Sequence, residues 1–500
     1  MASLRRNTFI QAPSLARQTP RLAGWVPVGM TDWLPSPSLH LTIAILAVLI
    51  YVLTSRIHRE RRAPAAAIGW VIGMLLLPYL LLPLYFLFGR RKLTRHAVPA
   101  QPKPSVDAHW AQRLCAAFGA GAAAPGRFQL HADGVQARDA LWATFDGARE
   151  RLDVCTFLLG NDAFGQEVLQ RLIALAESGI AVRLLLDGVG QWSSDRQGLQ
   201  RLRDAGAQVA IFRPLLSWHR VGPRNLRNHR KLTIADGHML WAGGRNLSTE
   251  YFLGSAQAPP WIDLSFSADG GVAAAAEAQF ERDWLSAGGL PRMPVVSTSA
   301  ASVSAASPSA ASERLEGSEA AADALMQFVA SGPDQVEDTV HALLVEACVH
   351  ARHRIDAVTP YFVPTDALLD ALRLAALRGV NVRLLLPAQS NHHLADFARH
   401  RGLRQLAAAG VSIRLAPRMV HAKACVFDDS LAIAGSVNLD LRSLLLNHED
   451  AVLFYGSAEV TAIRDWIGSL AVDTEPYCAQ PPGLIRDVAE GLLLTVAFQL

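Results

Sequence analysis

Cysteine is scarce and scattered: Cys115, Cys155, Cys348, Cys425 and Cys478 make five, with no close pair among them. That spacing excludes the paired thiolates of structural zinc and of dithiol exchange, and it fits a reducing compartment or buried thiols. No metal or cofactor ligand set is expected. Acidic residues are nearly absent from the first hundred positions, which hold twelve Lys and Arg against Asp32 and Glu60. Of the chain's 47 basic and 44 acidic residues, this leaves 35 and 42 for positions 101–500. A net-acidic region of that size lacks the electrostatic footprint of a nucleic-acid binder, so no nucleic-acid partner is expected.

Charge of either sign is missing between Asp32 and Arg56 and again between Arg62 and Arg90, in a chain that is 51% hydrophobic. A helix rises about 1.5 Å per residue and a hydrocarbon core is about 30 Å thick, so Ser38–Leu53 and Ala65–Phe88 are candidate membrane spans. Pro78 and Pro83 are placed to kink the second. A cleaved signal sequence is the competing reading of the first, but it begins far from the N-terminus and lacks a small-residue cleavage site. Arg5, Arg6, Arg17 and Arg21 with Arg90, Arg91, Lys92 and Arg95 outnumber Arg56, Arg59, Arg61 and Arg62 in the connecting loop. Positive-inside counting therefore puts residues 91–500 on the cytoplasmic side of a two-span protein.

Past residue 100 the chain alternates strand and helix patterns and repeats itself. GARERLDVCTFLL from Gly147 matches ARHRIDAVTPYFV from Ala351, and QRLIALAESGIAVRLLLD from Gln170 matches DALRLAALRGVNVRLLLP from Asp370. LRDAGAQVAIFRP from Leu202 echoes LRQLAAAGVSIRLAP from Leu403. Strand, helix, glycine stop and buried strand is the grammar of a parallel or mixed sheet covered by helices. The expected organisation is a tail over 1–37, a two-span region over 38–90, lobes over 105–294 and 318–500, and an Ala/Ser-rich linker over 295–317.

Each lobe ends in the same constellation. NHRKLTIADGHMLWAGGRN holds His229, Lys231, Asp236 and Asn246; VHAKACVFDDSLAIAGSVN holds His421, Lys423, Asp428 and Asn438. One His, Lys and Asp match at fixed spacing should arise by accident in roughly one window in ten thousand or fewer. Residues two apart on a strand share a face, so each His points with its Lys. Each Asp begins a turn and is expected to brace a hairpin, whose second strand returns through Gly243-Gly244 or Gly435-Ser436 and brings the Asn back beside the pair. Two lysines and two asparagines would supply donors for phosphate oxygens and for the extra charge of five-coordinate phosphorus. One neutral imidazole could attack phosphorus while the other, protonated, donates to the leaving alcohol, given surroundings that separate the two pKa values.

With its paired HxKxxxxD motifs the chain resembles the phospholipase D superfamily and, within it, the bacterial cardiolipin synthases. The apolar WVIGMLLLPYLLLPLYFLFG, the NHRK and GGRN of motif one, TPYFVP from Thr359, RGVNVRLLLP from Arg378, and GSVNLDLRS with Asn447 and Glu449 carry the resemblance across nearly the whole chain. The segment from Ala416 to Val420 is short against the family pattern. The resemblance implies an α/β fold of two similar phospholipase D-like lobes, mixed sheets flanked by helices and packed pseudo-twofold, after two transmembrane helices. It implies His229 as nucleophile and His421 as acid and base, an assignment the near-symmetry of the motifs leaves open. It also implies a carboxylate downstream of each motif orienting that motif's histidine: Asp263 for His229 and Glu449 for His421.

The implied reaction is phosphatidyl transfer between two phosphatidylglycerol molecules, at a bacterial inner membrane, through a phosphohistidine. The basic clusters at Arg56–Arg62 and Arg90–Arg95 would hold anionic phospholipid near the surface. A phospholipase D using water as acceptor, a transferase using another lipid or polyol, and a membrane-tethered phosphodiesterase or nuclease are the competing readings. Nothing in the sequence bears on oligomeric state.

Overall fold

The computed structural model describes residues 36–58, 64–89, 91–93, 105, 107–214, 224–292 and 324–495. Arg5, Arg6, Arg17, Arg21, Arg59, Arg61, Arg62, Arg90, Arg95 and the 295–317 linker lie outside them, as does the side chain of Arg56.

Helix α1 (Pro37–His58) is long and apolar enough to cross a membrane over Pro37–Ser55. The second expected span is instead two shorter helices, α2 (Pro64–Leu76) and α3 (Pro78–Phe88). The break is at Leu77, with φ −138° and ψ 59°, because the ring of Pro78 drives the residue before it out of the helical region. Pro83 is accommodated inside α3. Ala47, Tyr51, Met74 and Tyr85 pack the three helices together.

After α4 (Trp110–Ala117) and β1 (Ala124–Gly126), the first lobe contains β2 (Phe128–His131), α5 (Gly134–Gly147), β3 (Arg151–Thr156), α6 (Ala163–Glu177), β4 (Ala181–Asp187), α7 (Arg196–Asp204), β5 (Gln208–Phe212), β6 (Leu232–Ala235), β7 (Met239–Gly243), β8 (Ser265–Asp269) and α8 (Gly271–Ser286). The second contains β9 (Ala324–Ser331), α9 (Thr339–His350), β10 (Arg354–Val358), β11 (Phe362–Val363), α10 (Asp366–Leu377), β12 (Asn381–Pro387), α11 (His393–Ala408), β13 (Ser412–Ala416), β14 (Ala424–Phe427), β15 (Leu431–Gly435), β16 (Leu439–Asp440), α12 (Leu441–Leu445), β17 (Glu449–Phe454), α13 (Ser457–Leu470), β18 (Glu475–Pro476) and α14 (Leu484–Thr495).

The duplication is visible in sheet order. The first sheet runs β2-β8-β7-β6-β3-β4-β5; the second runs β9-β17-β15-β14-β10-β12-β13 with β1 and β18 added at its edges. In each, three parallel strands meet a run of antiparallel ones. Local signals agree with this plan. Asp162 and Thr365 cap α6 and α10 by accepting from backbone N–H groups, and Gly179 (φ 94°) and Gly379 (φ 91°) follow them in the left-handed region.

Residues 110–126, expected in the first lobe, pack with the second: Ala111 and Cys115 join its core, and β1 pairs antiparallel with β9. The lobes also share one hydrophobic core. Phe266, Phe280 and Trp284 of one cluster with Met326, Phe454, Ile463 and Trp466 of the other. Side chains of this size contribute about 1.5–3 kcal/mol each when fully buried, so the two lobes behave as one folded body.

Candidate active site

The residues that open each motif leave their own sheet and bond to the other lobe. Asn228 bridges His448 in parallel, with His229 N–H donating to the His448 carbonyl at 2.8 Å. The mirror arrangement joins Ile262 to Val420, with His421 N–H donating to the Ile262 carbonyl at 2.7 Å. His229 with Lys231, and His421 with Lys423, therefore lie in extended segments just before β6 and β14 and not inside those strands. Each histidine is held beside the residue that precedes the other lobe's carboxylate.

This crossing corrects one expectation. Glu449 accepts from Nδ1 of His229 at 3.0 Å, and Asp263 accepts from Nδ1 of His421 at 2.7 Å. Each carboxylate serves the histidine of the opposite lobe, because the bridging strands bring residues 448 and 262 against the partner motif. Within its own lobe each carboxylate faces the hairpin. Asp263 fills the space a side chain on Gly244 would need, its Oδ1 lying 2.1 Å from where a Cβ would stand. In the second lobe Ser436, at the position of Gly244, donates its hydroxyl to Glu449.

The lysines fold over their histidines. Lys231 Nζ donates to the His229 carbonyl at 2.7 Å, and Lys423 Nζ lies 3.1 Å from Nε2 of His421. Phe157 meets the His229 ring edge-on at 5.3 Å, as Tyr251 does His421 at 5.0 Å. Asp236 (φ 53°) and Asp428 (φ 51°) begin their turns in the left-handed region. Asp236 accepts from the backbone N–H groups of Arg149, Glu150 and Arg151, and Asp428 from those of Arg352, His353 and Arg354. Both are hairpin braces.

The side-chain amides of Asn246 and Asn438, expected beside their His-Lys pairs, bond other groups. Asn246 Nδ2 donates to the Tyr251 hydroxyl at 2.8 Å, and Asn438 bonds the Asp440 carboxyl.

Burial sets the protonation of the site. It pushes the imidazole of His229 down to about 4, with Glu449 opposing, and that of His421 to about 3, with Lys423 adding to the effect and Asp263 opposing. Both are neutral near pH 7, where a split had been expected; both rings are largely withdrawn from water and each has a cation beside it. Burial lowers Lys231 to about 8 and Lys423 to about 7, against the pull of Glu449 and Asp263. Asp263 is held at about 2 because His421, Lys423 and Arg245 outweigh the cost of burying it. Ionised carboxylates at both Nδ1 atoms fix those nitrogens as donors and leave each Nε2 with its lone pair.

Two features were missed by sequence reasoning. Arg230 alternates with His229 and Lys231 and so points the other way, where it is fully buried and paired with Asp283 at 2.6 Å and with Asp334 of the second lobe at 3.1 Å. Asp450, next to Glu449, is also fully buried. An arginine flanked by two site residues on an alternating segment is the hint that was present for the first.

Arg91 and Lys92, expected to hold anionic lipid, both pair with Asp338. The segment after α3 is thereby fastened to the second lobe, where Leu93 N–H also donates to the Pro333 carbonyl.

A family described as cardiolipin synthase, phospholipase D-like domain, matches residues 141–284 and 344–471. Cardiolipin synthase A of Pseudomonas putida (strain W619) is 31% identical over 437 residues, covering 82% of this chain and 86% of its own. Cardiolipin synthase 1 of Bacillus cereus (strain ATCC 14579) is 29% identical over 446 residues, covering 84% and 86%. Among solved structures, the phosphatidylserine synthase of Haemophilus influenzae Rd KW20 superposes with a TM-score of 0.56 at 13% identity, over 75% of this chain and 97% of that one; this likeness concerns the fold.

Proposed function

This chain belongs to the cardiolipin synthase family of phospholipase D-like proteins, and on that premise we propose that it transfers a phosphatidyl group from one phosphatidylglycerol to another, forming cardiolipin and releasing glycerol. The observation that carries the reading is the pair of neutral histidines from opposite lobes, each bound through Nδ1 to a buried carboxylate and each with a lysine beside it.

In the first half-reaction Nε2 of one histidine attacks phosphorus and the bond to glycerol oxygen breaks, the departing oxygen taking a proton from the other histidine. The glycerol hydroxyl of a second phosphatidylglycerol then gives its proton to that histidine and attacks phosphorus, breaking the P–N bond. His229 is the better nucleophile on access, since its side chain is 12% exposed against 4% for His421. Both imidazoles are neutral without substrate, so the acid proton is taken up from solvent as substrate binds: an anionic phosphodiester between the rings favours imidazolium. Lys231 and Lys423 stabilise the charge on the equatorial oxygens. Two phosphodiesters exchange at nearly equal energy, and no nucleotide is required.

Helix α1 supports residence in a bacterial inner membrane, with α2 and α3 returning the chain and the lobes on the cytoplasmic side.

The full chain reconstituted in vesicles with labelled phosphatidylglycerol should yield cardiolipin and glycerol in equal amounts, and chelators should leave the rate within about twofold. His229→Ala and His421→Ala should each lower the rate by at least roughly 10³-fold. Phosphatidic acid as sole lipid product would move the assignment to a hydrolase, and a fully active His421→Ala enzyme would end the two-histidine reading.

A further inference from the structure

Helix α14 follows the second lobe and lies against α11. Leu493 and Leu494 join a cluster with Val363, Ala395 and Ala398, and Glu490, fully buried, bonds Arg486 at 3.0 Å and Arg404. At about 100° per residue, Leu484, Ile485 and Val488 fall within one arc on the opposite side. They are 80%, 87% and 53% exposed. Three large aliphatic side chains left in water along one arc of a docked helix are anomalous for a surface held by its own fold, and such patches mark contact surfaces.

The docked side of α14 runs toward the candidate site. Tyr361 belongs to the same cluster as Leu493 and Leu494, and its segment leads into the site: Phe362 pairs in register with Leu439, beside Asn438. The hydroxyl of Tyr361 bonds Asn391 and its ring meets His392, so the start of α11, carrying Leu394, 60% exposed, stands on the same rim. The first lobe repeats the arrangement. A side chain on Gly190 would collide with the carbonyl of Phe157, which walls His229, so the turn Gly190–Ser193 rests on the site wall and presents Trp192, 60% exposed, with Arg196 and Arg203 lining the hollow beside it.

We infer that this rim is a bilayer-docking surface: α14 lies in the lipid interface on the face Leu484, Ile485 and Val488, the Trp192 turn makes the matching contact on the first lobe, and the site opens toward anionic phospholipid between them. A helix anchored to its own protein along one face and carrying an apolar arc in water along the other is a form that can enter the boundary between headgroups and acyl chains. Arg196 and Arg203 beside the Trp192 turn suit anionic headgroups. The inference deepens the proposed function by stating how a bilayer lipid reaches the two histidines, and it rests on that reading for the identity of the lipid.

The test uses the full chain in phosphatidylglycerol vesicles containing a lipid with a nitroxide on its acyl chain. Cys478, the one exposed cysteine among the described residues, is replaced by serine, and a polarity-sensitive fluorophore is attached through Ile485→Cys. Val349→Cys is the control: it is 56% exposed on α9, which leads into β10 at the end of the sheet away from His421. Quenching of at least twofold at position 485 with none at 349 is expected. No quenching at 485, or quenching that disappears when vesicles are diluted to single copies and so reports a second copy, overturns the inference.

The double variant Ile485→Asp with Val488→Asp should lose about tenfold in transfer on vesicle lipid and keep its rate on dispersed short-chain phosphatidylglycerol. Equal loss on both substrates would count against docking. Because quenching needs no turnover, a wild type that makes no cardiolipin on either substrate would remove the proposed reaction without touching this reading.

Discussion

Glu449 of the second lobe accepts the Nδ1 proton of His229 of the first, while Asp263 of the first does the same for His421 of the second. Neither lobe contains a complete His-carboxylate pair, so the shared core is a condition of the chemistry as well as of stability. Glu449→Gln removes the charge that fixes the His229 tautomer, and should lower turnover by roughly 10²–10⁴-fold with the fold intact. A double-mutant cycle gives the sharper result. His229→Ala and Glu449→Gln should be strongly non-additive, as should His421→Ala and Asp263→Asn, because residues in one hydrogen-bonded unit fail together. Coupling of His229 with Asp263 in place of Glu449 would refute the crossed arrangement.

Much of this was legible in the chain. Repeated Gly179 and Gly379 stops, and the matching β4 and β12 strands, gave the two lobes because glycine in the left-handed region and doubly buried apolar strands are local properties. His229, Lys231, His421 and Lys423 stood out because spacing and repetition are themselves sequence facts. The crossing of Glu449 and Asp263 did not, since it depends on how two similar surfaces pack, and each motif reads equally well with its own downstream carboxylate. The divided second span is intermediate: Pro78 marked the break, but the same pattern allows a kinked helix. Arg91 and Lys92 read as lipid contacts until Asp338, far away in sequence, was seen to take them.

Asp236 touches three backbone amides and serves the hairpin. Asp236→Ala leaves those donors unmet and puts a Cβ-bearing residue without a side-chain acceptor at φ 53°. A loss of about 2–4 kcal/mol in denaturant unfolding is expected. The fraction that stays folded should keep turnover within several-fold of wild type. A stable Asp236→Ala protein as inactive as His229→Ala would show that the carboxylate reaches the chemistry.

Lys423 and Lys231, lowered to about 7 and about 8 chiefly by burial, must be charged to hold a phosphodiester. In the free enzyme the histidines stay neutral down to about 4 and about 3. The profile of kcat/KM reports the free enzyme, which must take up the acid proton with substrate, so it should fall as pH rises from about 5 and more steeply above about pH 7 as the ammonium groups also lose their protons. A profile still rising at about pH 9.5 would mean that neutral lysines suffice.

Asp450 gives a second pH effect, on stability. Burial raises its carboxyl to about 7, against the pull of Arg230 and with Glu449 adding to the rise, while the unfolded value is near the ordinary 3.8. Between those values the folded state holds the extra proton, so wild-type stability contributed here falls as pH rises from about 4 to about 7. Below that window both states are protonated and the term vanishes; above it the folded protein carries the full cost of a buried charge. Asp450→Asn has no proton to lose. Its stability relative to wild type should therefore increase with pH across the window, by on the order of 2–4 kcal/mol at the upper end. The buried histidines act in the opposite sense, since their lowered values make the unfolded state the proton binder from about 6.5 down to about 4. Their contribution is common to both proteins and cancels in the difference. Unfolding midpoints measured for the two at pH 5 and pH 8 decide the matter: a constant gap would mean that Asp450 is ionised at both, with Arg230 and Lys231 compensating its burial.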